Sequence, residues 1–281
     1  MTDVTVVFRT YPKISKQPLF SVVDKKDLVC RSLVSLLAGN LQLRIYCHIL
    51  FDSCDDDYVK VVERAAAAYA NVRSVRLERA GNAETFALQF QIALRPDSAQ
   101  FVYFAEDDYL YRPGALQTMV EFAARGAERV DFVTPHDHFD NYRLDFHRRT
   151  LPRITFYANR HWRTQASTCL TFLARREALV ACRRRFMTYK KGNSDFAIWL
   201  SVVGGYGAIA RLAVADDPFM FRAKTLLKLV WYGFWPMGFD QRRLLWGPIP
   251  AVGTHLQFDE VGPGVDWKVV WDAAGELCQR T

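Results

Sequence analysis

Residues Phe101 to Leu116 read FVYFAEDDYLYRPGAL, and three consecutive carboxylates, Glu106, Asp107 and Asp108, stand directly behind a run of strand-forming residues. Hard divalent cations take oxygen ligands, and Mg2+ or Mn2+ held by one or two carboxylates commonly binds the phosphates of a substrate. Strand alternation sends Glu106 and Asp108 to one side and Asp107 to the other. A turn there can give a metal one carboxylate and a sugar or ribose hydroxyl its neighbour. An isolated acidic triplet reads equally well as a solvated loop, or as charge ahead of a helix with Pro113 in its first turn. Its place behind a hydrophobic strand favours chemistry. Asp52 ends a second apolar run, LRIYCHILF, and Asp195 stands in NSDFAIWL, where it reads as a first-turn acid of a helix or as a general base. His255 follows a Gly-Thr turn in PAVGTHLQ; a lone histidine is more often structural than a ligand.

A phosphate-bearing ligand needs cations or a glycine nest. The chain contains neither GxGxxG nor GxxxxGK[ST]. Arg9, Arg112, Arg242 and Arg243 are therefore the candidates for a diphosphate, because arginine grips phosphate in a bidentate way. The stretch DFVTPHDHFDNYRLDFH carries His136, Asp137, His138, Asp140, Asp145 and His147. Its spacing is looser than that of zinc sites, so it reads as a polar loop on the acceptor side.

The elements that must position these groups alternate. TVVFRTY (Thr5 to Tyr11) is a first strand, Lys26 to Leu37 a helix stopped by Gly39-Asn40, and Leu43 to Phe51 a second strand. Ser53 and Asp56 read as a capping pair for a helix from Asp57 to Tyr69. VRSVRLE is a third strand, Ala83 to Leu94 a third helix, and Phe101 to Ala105 a fourth strand, with a helix carrying Leu116, Met119, Val120 and Ala123 beyond it. Such alternation predicts an α/β fold with a mostly parallel sheet and helices on both faces, and ligands beyond the carboxyl ends of its strands. The segment after Val130 is less regular; within it Ser167 to Leu179 reads as strand then helix.

Three stretches resemble glycosyltransferase family 2 of the GT-A (Rossmann-like) fold, in the family's order. ILFDSCDDDYVKVV is similar to its strand-Asp-x-Ser-x-Asp-helix opening, GNAETFALQFQIAL to its asparagine-containing turn and helix, and FVYFAEDDYLYRPGAL to its Asp-x-Asp strand and following helix. The resemblance implies that Arg9, Thr10, Tyr11 and Asp52 flank the nucleotide base, that Asn82 belongs to the donor-binding turn, and that Asp107 meets the nucleotide-sugar and Asp108 the metal. Glu106-Asp107-Asp108 stands where the family has Asp-x-Asp. NSDFAIWL is similar to the family's acidic pair at a helix start, with Ser194 replacing the usual Glu, which makes Asp195 the implied base of an inverting transfer. His255 resembles the late histidine that many such enzymes return to the metal. The implied protein is one GT-A catalytic domain over 1–281, with a nucleotide-sugar half (1–125) and an acceptor half with a C-terminal extension (126–281). It would use Mn2+ or Mg2+ and transfer sugar from a nucleotide-diphosphate sugar to a hydroxyl acceptor, a glycan or glycolipid.

Composition bounds these readings. The 281 residues are 50% hydrophobic and 24% charged, with a net charge of +7. That suits a globular chain with a taste for polyanions. A nucleotidyltransferase is the enzyme alternative, although RTYPKISKQP has none of the glycines of its basic loop. A nucleic-acid-binding protein is the other class, against which the cations are dispersed and no zinc-finger, RRM or helix-turn-helix signature occurs. A DNA-modifying glycosyltransferase would unite the two, but no obligatory nucleic-acid partner is predicted. Six scattered cysteines without a CxxC pair, and an N-terminus without a secretory pattern, predict a cytoplasmic protein. KTLLKLVWYGFWPMGF, Lys224 to Phe239, is too short to span a bilayer. It reads as a core helix, or as a peripheral contact on the cytoplasmic membrane face with Arg222, Lys224 and Lys228 toward headgroups and Trp231, Tyr232 and Trp235 at the interface.

Overall fold

The computed structural model describes residues 1–14, 17–22, 24–126, 130–233, 242–258 and 260–280. The first strand, β1 (Thr2–Thr10), is buried along its last seven residues. α1 (Lys25–Leu37) starts on the Asp24 side chain, which accepts from the Asp27 amide. There follow β2 (Leu43–Asp52), α2 (Asp56–Ala67), β3 (Asn71–Leu77), α3 (Gly81–Ala93) and β4 (Phe101–Glu106). β1 pairs in parallel with both β2 and β4, setting Thr10 opposite Phe51 and Arg9 opposite Glu106. The polar residues that end three strands therefore share one edge, as the ligand rule for such sheets requires.

Beyond β4 the chain differs from the pattern. Asp107 and Asp108 form a turn into a short strand, β5 (Tyr109–Tyr111), before α4 (Ala115–Arg125). Pro113 stands ahead of α4 rather than in its first turn; Gly114, at φ 72°, is the junction. Its φ lies in the left-handed region that glycine tolerates. The Ser53–Asp56 cap is also absent. Asp55 caps α2 by accepting from the Tyr58 amide at 2.7 Å, while Ser53, at φ 59°, turns back toward β3.

The second half supplies β6 (Phe132–Val133), two single-turn helices, α5 (Asp140–Arg143) and α6 (Asp145–Arg148), β7 (Ile154–Tyr157), β8 (Arg160–Gln165), β9 (Phe172–Arg175) and α7 (Arg176–Phe186). A short helix Asp195–Trp199 runs directly into a π-turn, Leu200–Gly204. Next come the helices Tyr206–Val214 and Phe219–Lys228, β10 (Leu245–Ile249), β11 (Gly253–His255) and a final helix, Trp267–Arg280. The sheet order is β3-β2-β1-β4-β9-β6-β10-β8-β7, and within it only β9 and β8 run against the rest. A separate two-stranded ladder joins β11 to β5, with His255 opposite Tyr109.

Strand alternation divides β1 between two cores. Val4, Val6 and Phe8 pack with residues of α1, α2 and α4; Val7, Leu50 and Phe104 pack with residues of α3 and α7. In the helix Phe219–Lys228 and the turn after it, Thr225 and Leu229 are buried, whereas Met220, Leu227 and Trp231 are exposed. One stripe of this element packs and another faces outward, so the core-helix reading holds for only half of it; residues 234–239, Trp235 included, lie outside the described residues. No helix among the described residues is long and apolar enough to cross a membrane.

Candidate active site

A cleft of about 590 Å3 opens at the carboxyl edge of β1, β2 and β4. The ten residues of the strand ends, the Asn82 turn, Asp195 and His255 that the sequence singled out line it: Arg9, Thr10, Tyr11, Asp52, Asn82, Glu106, Asp107, Asp108, Asp195 and His255. They come from β1, β2, the start of α3, the β4 turn, the helix at Asp195 and β11.

The three carboxylates behind β4 do not keep strand alternation, because the turn begins at Asp107. Each meets a different partner. Glu106 pairs with the Arg9 guanidinium, and its second oxygen accepts from Thr171 at 3.0 Å. Asp107 pairs with Lys25 at 2.8 Å and accepts from the Thr10 hydroxyl and the Tyr11 amide at 2.7 and 3.1 Å. Burial nonetheless pushes the Asp107 carboxyl up, outweighing the Lys25 charge. Asp108 Oδ2 lies 2.9 Å from His255 Nε2, and His255 Nδ1 lies 2.6 Å from Glu260. Burial opposes the charged forms of both Asp108 and His255. Their mutual attraction wins, holding the Asp108 carboxyl below the usual range and raising His255 to about 10 with help from Glu260. Asp108 Oδ1 is buried without a hydrogen-bond partner.

Asp52 is in the cleft, but its oxygens are engaged. They accept from the Ala80 and Gly81 amides at 3.0 and 2.8 Å, and from Ser53 Oγ. Asp52 thereby fixes the turn that opens α3, in which the Asn82 carbonyl accepts from Arg9. Among the described residues Asp195 bonds only locally, accepting from the Phe196 amide at 2.7 Å, and burial raises its carboxyl. A carboxyl shifted upward and open to a cleft is suited to receive a proton.

The arginine candidates separate. Only Arg9 reaches the cleft, and Glu106 already holds it. Arg112 does not line the cleft, and Arg242 and Arg243 line a different cavity. The cleft has three cations that sequence reasoning did not single out, Lys13, Lys25 and Arg79. Lys25 is the first residue of α1, directly behind its cap Asp24, a position that resembles any helix start. Glu260 and Tyr189 were missed for the same reason: nothing local marks them. His136 and His138 pack behind the His255–Glu260 pair, with His136 Nδ1 3.4 Å from the Gly253 carbonyl and His138 3.9 Å from Glu260. Asp137 is occupied by Arg163 and the Tyr142 hydroxyl. Among the described residues no group of three His, Cys, Asp or Glu is arranged to hold a metal.

Comparisons with known proteins bear on this arrangement. No curated protein matches the sequence. Among solved structures, a mannosyltransferase from Pyrobaculum calidifontis in complex with GDP-Man and Mn2+ overlaps at a TM-score of 0.39 with 17% identity, covering 63% of this chain; this chain spans 45% of that protein. Glucosyl-3-phosphoglycerate synthase from Mycobacterium tuberculosis, with Mg2+ and UDP, gives 0.40 and 12% over 85% of this chain and 81% of its own. The galactosyltransferase LgtC, with donor and acceptor sugar analogues, gives 0.48 and 10% over 98% and 95%. Overlaps this loose carry no argument about activity. The family model "Glycosyl transferase family 2" matches residues 22–181, more than half of the chain and all the strand ends of the cleft except those of β1 and β11. The chain belongs to glycosyltransferase family 2, and its activity is glycosyl transfer.

Proposed function

We propose that the protein transfers a sugar from a nucleoside-diphosphate sugar to a hydroxyl acceptor, with inversion and with a divalent metal at Asp108 and His255. The observation that carries this reading is the convergence of the β1, β2 and β4 ends, Asp195 and His255 on one cleft. The donor set fits a hard or borderline cation: a carboxylate with one buried oxygen lacking a partner, beside an imidazole that Glu260 orients from its other nitrogen. Two protein ligands leave room for diphosphate oxygens. When bound, Mn2+ or Mg2+ would neutralise charge developing on the leaving diphosphate.

The chain's own groups do the rest. Asp107, held by Lys25, Thr10 and Tyr11, presents a fixed edge to the sugar or ribose. Asp52 holds the α3 turn against the nucleotide. Lys13 and Arg79, exposed on the cleft rim, have no carboxylate partner among the described residues and can reach phosphate. Asp195 takes the acceptor proton as its oxygen attacks the anomeric carbon, and the carbon–diphosphate bond breaks on the opposite face. Release of nucleoside diphosphate from a panel of nucleotide sugars, with Mn2+ and with chelator, tests the reading. A product of retained configuration refutes the single displacement.

In this reading the hydroxyl acceptor is a glycan or glycolipid. The outward stripe of Met220, Leu227 and Trp231, with Lys224 between them, supports peripheral contact with an anionic bilayer from the cytoplasmic side. Leu227→Asp together with Trp231→Asp is expected to abolish sedimentation with anionic vesicles; sedimentation unchanged from the parent would rule the contact out.

A further inference from the structure

At the opposite edge of the sheet, where β6 and β10 begin, lies a second cavity of about 570 Å3. It sits at the far end of the helix that Asp195 opens, against Leu200, Val203 and Gly204 of the π-turn. Five arginines line it, Arg149, Arg153, Arg211, Arg242 and Arg243, against a single acid, Asp131. That acid is already committed, to Arg243 at 3.1 Å and to the Leu244 amide at 3.4 Å. Arg149 is paired with Asp145.

Arg211 and Arg242 are different. Neither has a hydrogen-bond or carboxylate partner among the described residues, and the Nε atoms of Arg211 and Arg243 are buried without a partner. Each free guanidinium lies against a glycine. A Cβ on Gly205 would come within 2.5 Å of Arg242 Nε, and one on Gly207 within 3.2 Å of Arg211 Nη1. Gly205, at φ 56°, also has a backbone that side chains resist. The local chain is thus shaped around two like charges that pair with no carboxylate among the described residues. Burial, and then the Arg242 charge, lowers Arg211 from its ordinary value, which marks the repulsion between them. The floor is apolar: Leu200, Val203, Leu244 and Leu245.

We propose that this cavity is a binding site for an organic phosphate, distinct from the donor cleft, whose phosphate bridges Arg211 and Arg242 while its carbon skeleton rests on the leucine-valine floor. Paired guanidinia supply forked donors matched to phosphate oxygens. The space exceeds what a bare ion fills, and the mixed lining suits a phosphomonoester with an attached body. Such a ligand reaches the cell either as a soluble metabolite or as a lipid headgroup.

The test uses the full chain and three probes: inorganic phosphate, glycerol 3-phosphate and monomeric short-chain phosphatidic acid, each against chloride at equal ionic strength. The parent protein is expected to melt at higher temperature with each probe. Arg211→Gln and Arg242→Gln should each weaken the binding about 10- to 100-fold, the worth of one charge-assisted hydrogen bond. Without phosphate each variant should be at least as stable as the parent, because a like-charge contact is gone. Arg242 is exposed, so its variant stays interpretable if Arg211→Gln folds poorly. Lys13→Gln with Arg79→Gln, in the donor cleft, should leave the shift in place. Tighter binding of the short-chain lipid than of glycerol 3-phosphate assigns the site to a headgroup, and the reverse to a soluble ester. No shift with any probe, a shift untouched by Arg242→Gln, or one abolished by the donor-cleft variants overturns the site.

Discussion

Asp195 and Asp108 share one cleft but stand in opposite electrostatic conditions. Burial raises Asp195, whereas the His255 charge holds Asp108 down against the same effect. One carboxyl is thus prepared to take up a proton and the other to stay ionised. Asp195→Asn keeps the local bond to the Phe196 amide but cannot accept a proton, so kcat should fall about 10²- to 10⁴-fold with donor affinity nearly unchanged. Steady-state kinetics with a calorimetric donor titration check this; an active variant moves the base elsewhere, and Asp137 is then a poor successor because Arg163 and Tyr142 already hold it. Asp108→Asn should abolish metal-dependent donor binding while leaving metal-free nucleotide binding measurable, which calorimetry with and without Mn2+ resolves. At this scale the sequence carried most of the information. Strand-end position and family order brought all ten residues to one cleft. The partners stayed hidden, because Lys25 and Thr171 meet their carboxylates only through the tertiary fold, and nothing around His255 marks Glu260, five residues on, as its partner.

Among the elements, the alternating first half was readable because buried parallel strands are continuous apolar runs and α2 and α4 carry apolar faces at a clear 3.6-residue period. The short β5–β11 ladder was not. Three residues per strand carry no usable period, and their partners are 142 to 146 positions apart, from Tyr111↔Gly253 to Tyr109↔His255. The α2 cap was misread for a different reason. Ser53, Asp55 and Asp56 all suit a cap, and what decides is that Ser53 is drawn to the Arg79 amide at 3.0 Å. Asp52 lines the cleft and also holds the turn that opens α3. Asp52→Ala removes the acceptor from two backbone amides at the head of α3, a loss of about 0.5–2 kcal/mol by analogy with helix caps. Chemical denaturation should register that loss in a variant that still folds, together with weaker nucleotide binding; unchanged stability would mean that the Ala80–Gly81 turn holds itself.

Taken whole, the molecule joins an alternating first half to a less regular second half. His147 is one of the buried polar groups of the second half, and its Nε2 has no hydrogen-bond partner among the described residues. Burial lowers it to about 4, helped by the His138 and Arg163 charges, from an ordinary 6.5. A neutral imidazole inside the fold contributes stability that is complete above about pH 6.5 and is lost as pH falls toward 4, since the unfolded chain takes up the proton first. The parent should therefore lose more stability than His147→Gln between pH 7 and pH 4.5, by up to roughly 3 kcal/mol. Urea denaturation at the two pH values measures the difference, and equal losses would show that His147 is not held neutral. The same opposition of edges that separates the donor cleft from the arginine cavity explains why Arg242 and Arg243 could not be assigned from sequence: their numbers place them near His255, while the direction of β10 places them at the other end of the sheet.

The ladder between β5 and β11 also sets an order of completion during synthesis. The ends of β1, β2 and β4 at the cleft are encoded before residue 107, whereas His255 emerges 147 positions after the aspartate it meets. A growing chain can therefore shape that wall of the cleft long before the imidazole arrives. Until β11 docks, Asp108 faces the cleft without the imidazole. Completion of the Asp108–His255 pair is thereby tied to the arrival of the last segments, and an interrupted chain would carry the strand-end wall without it.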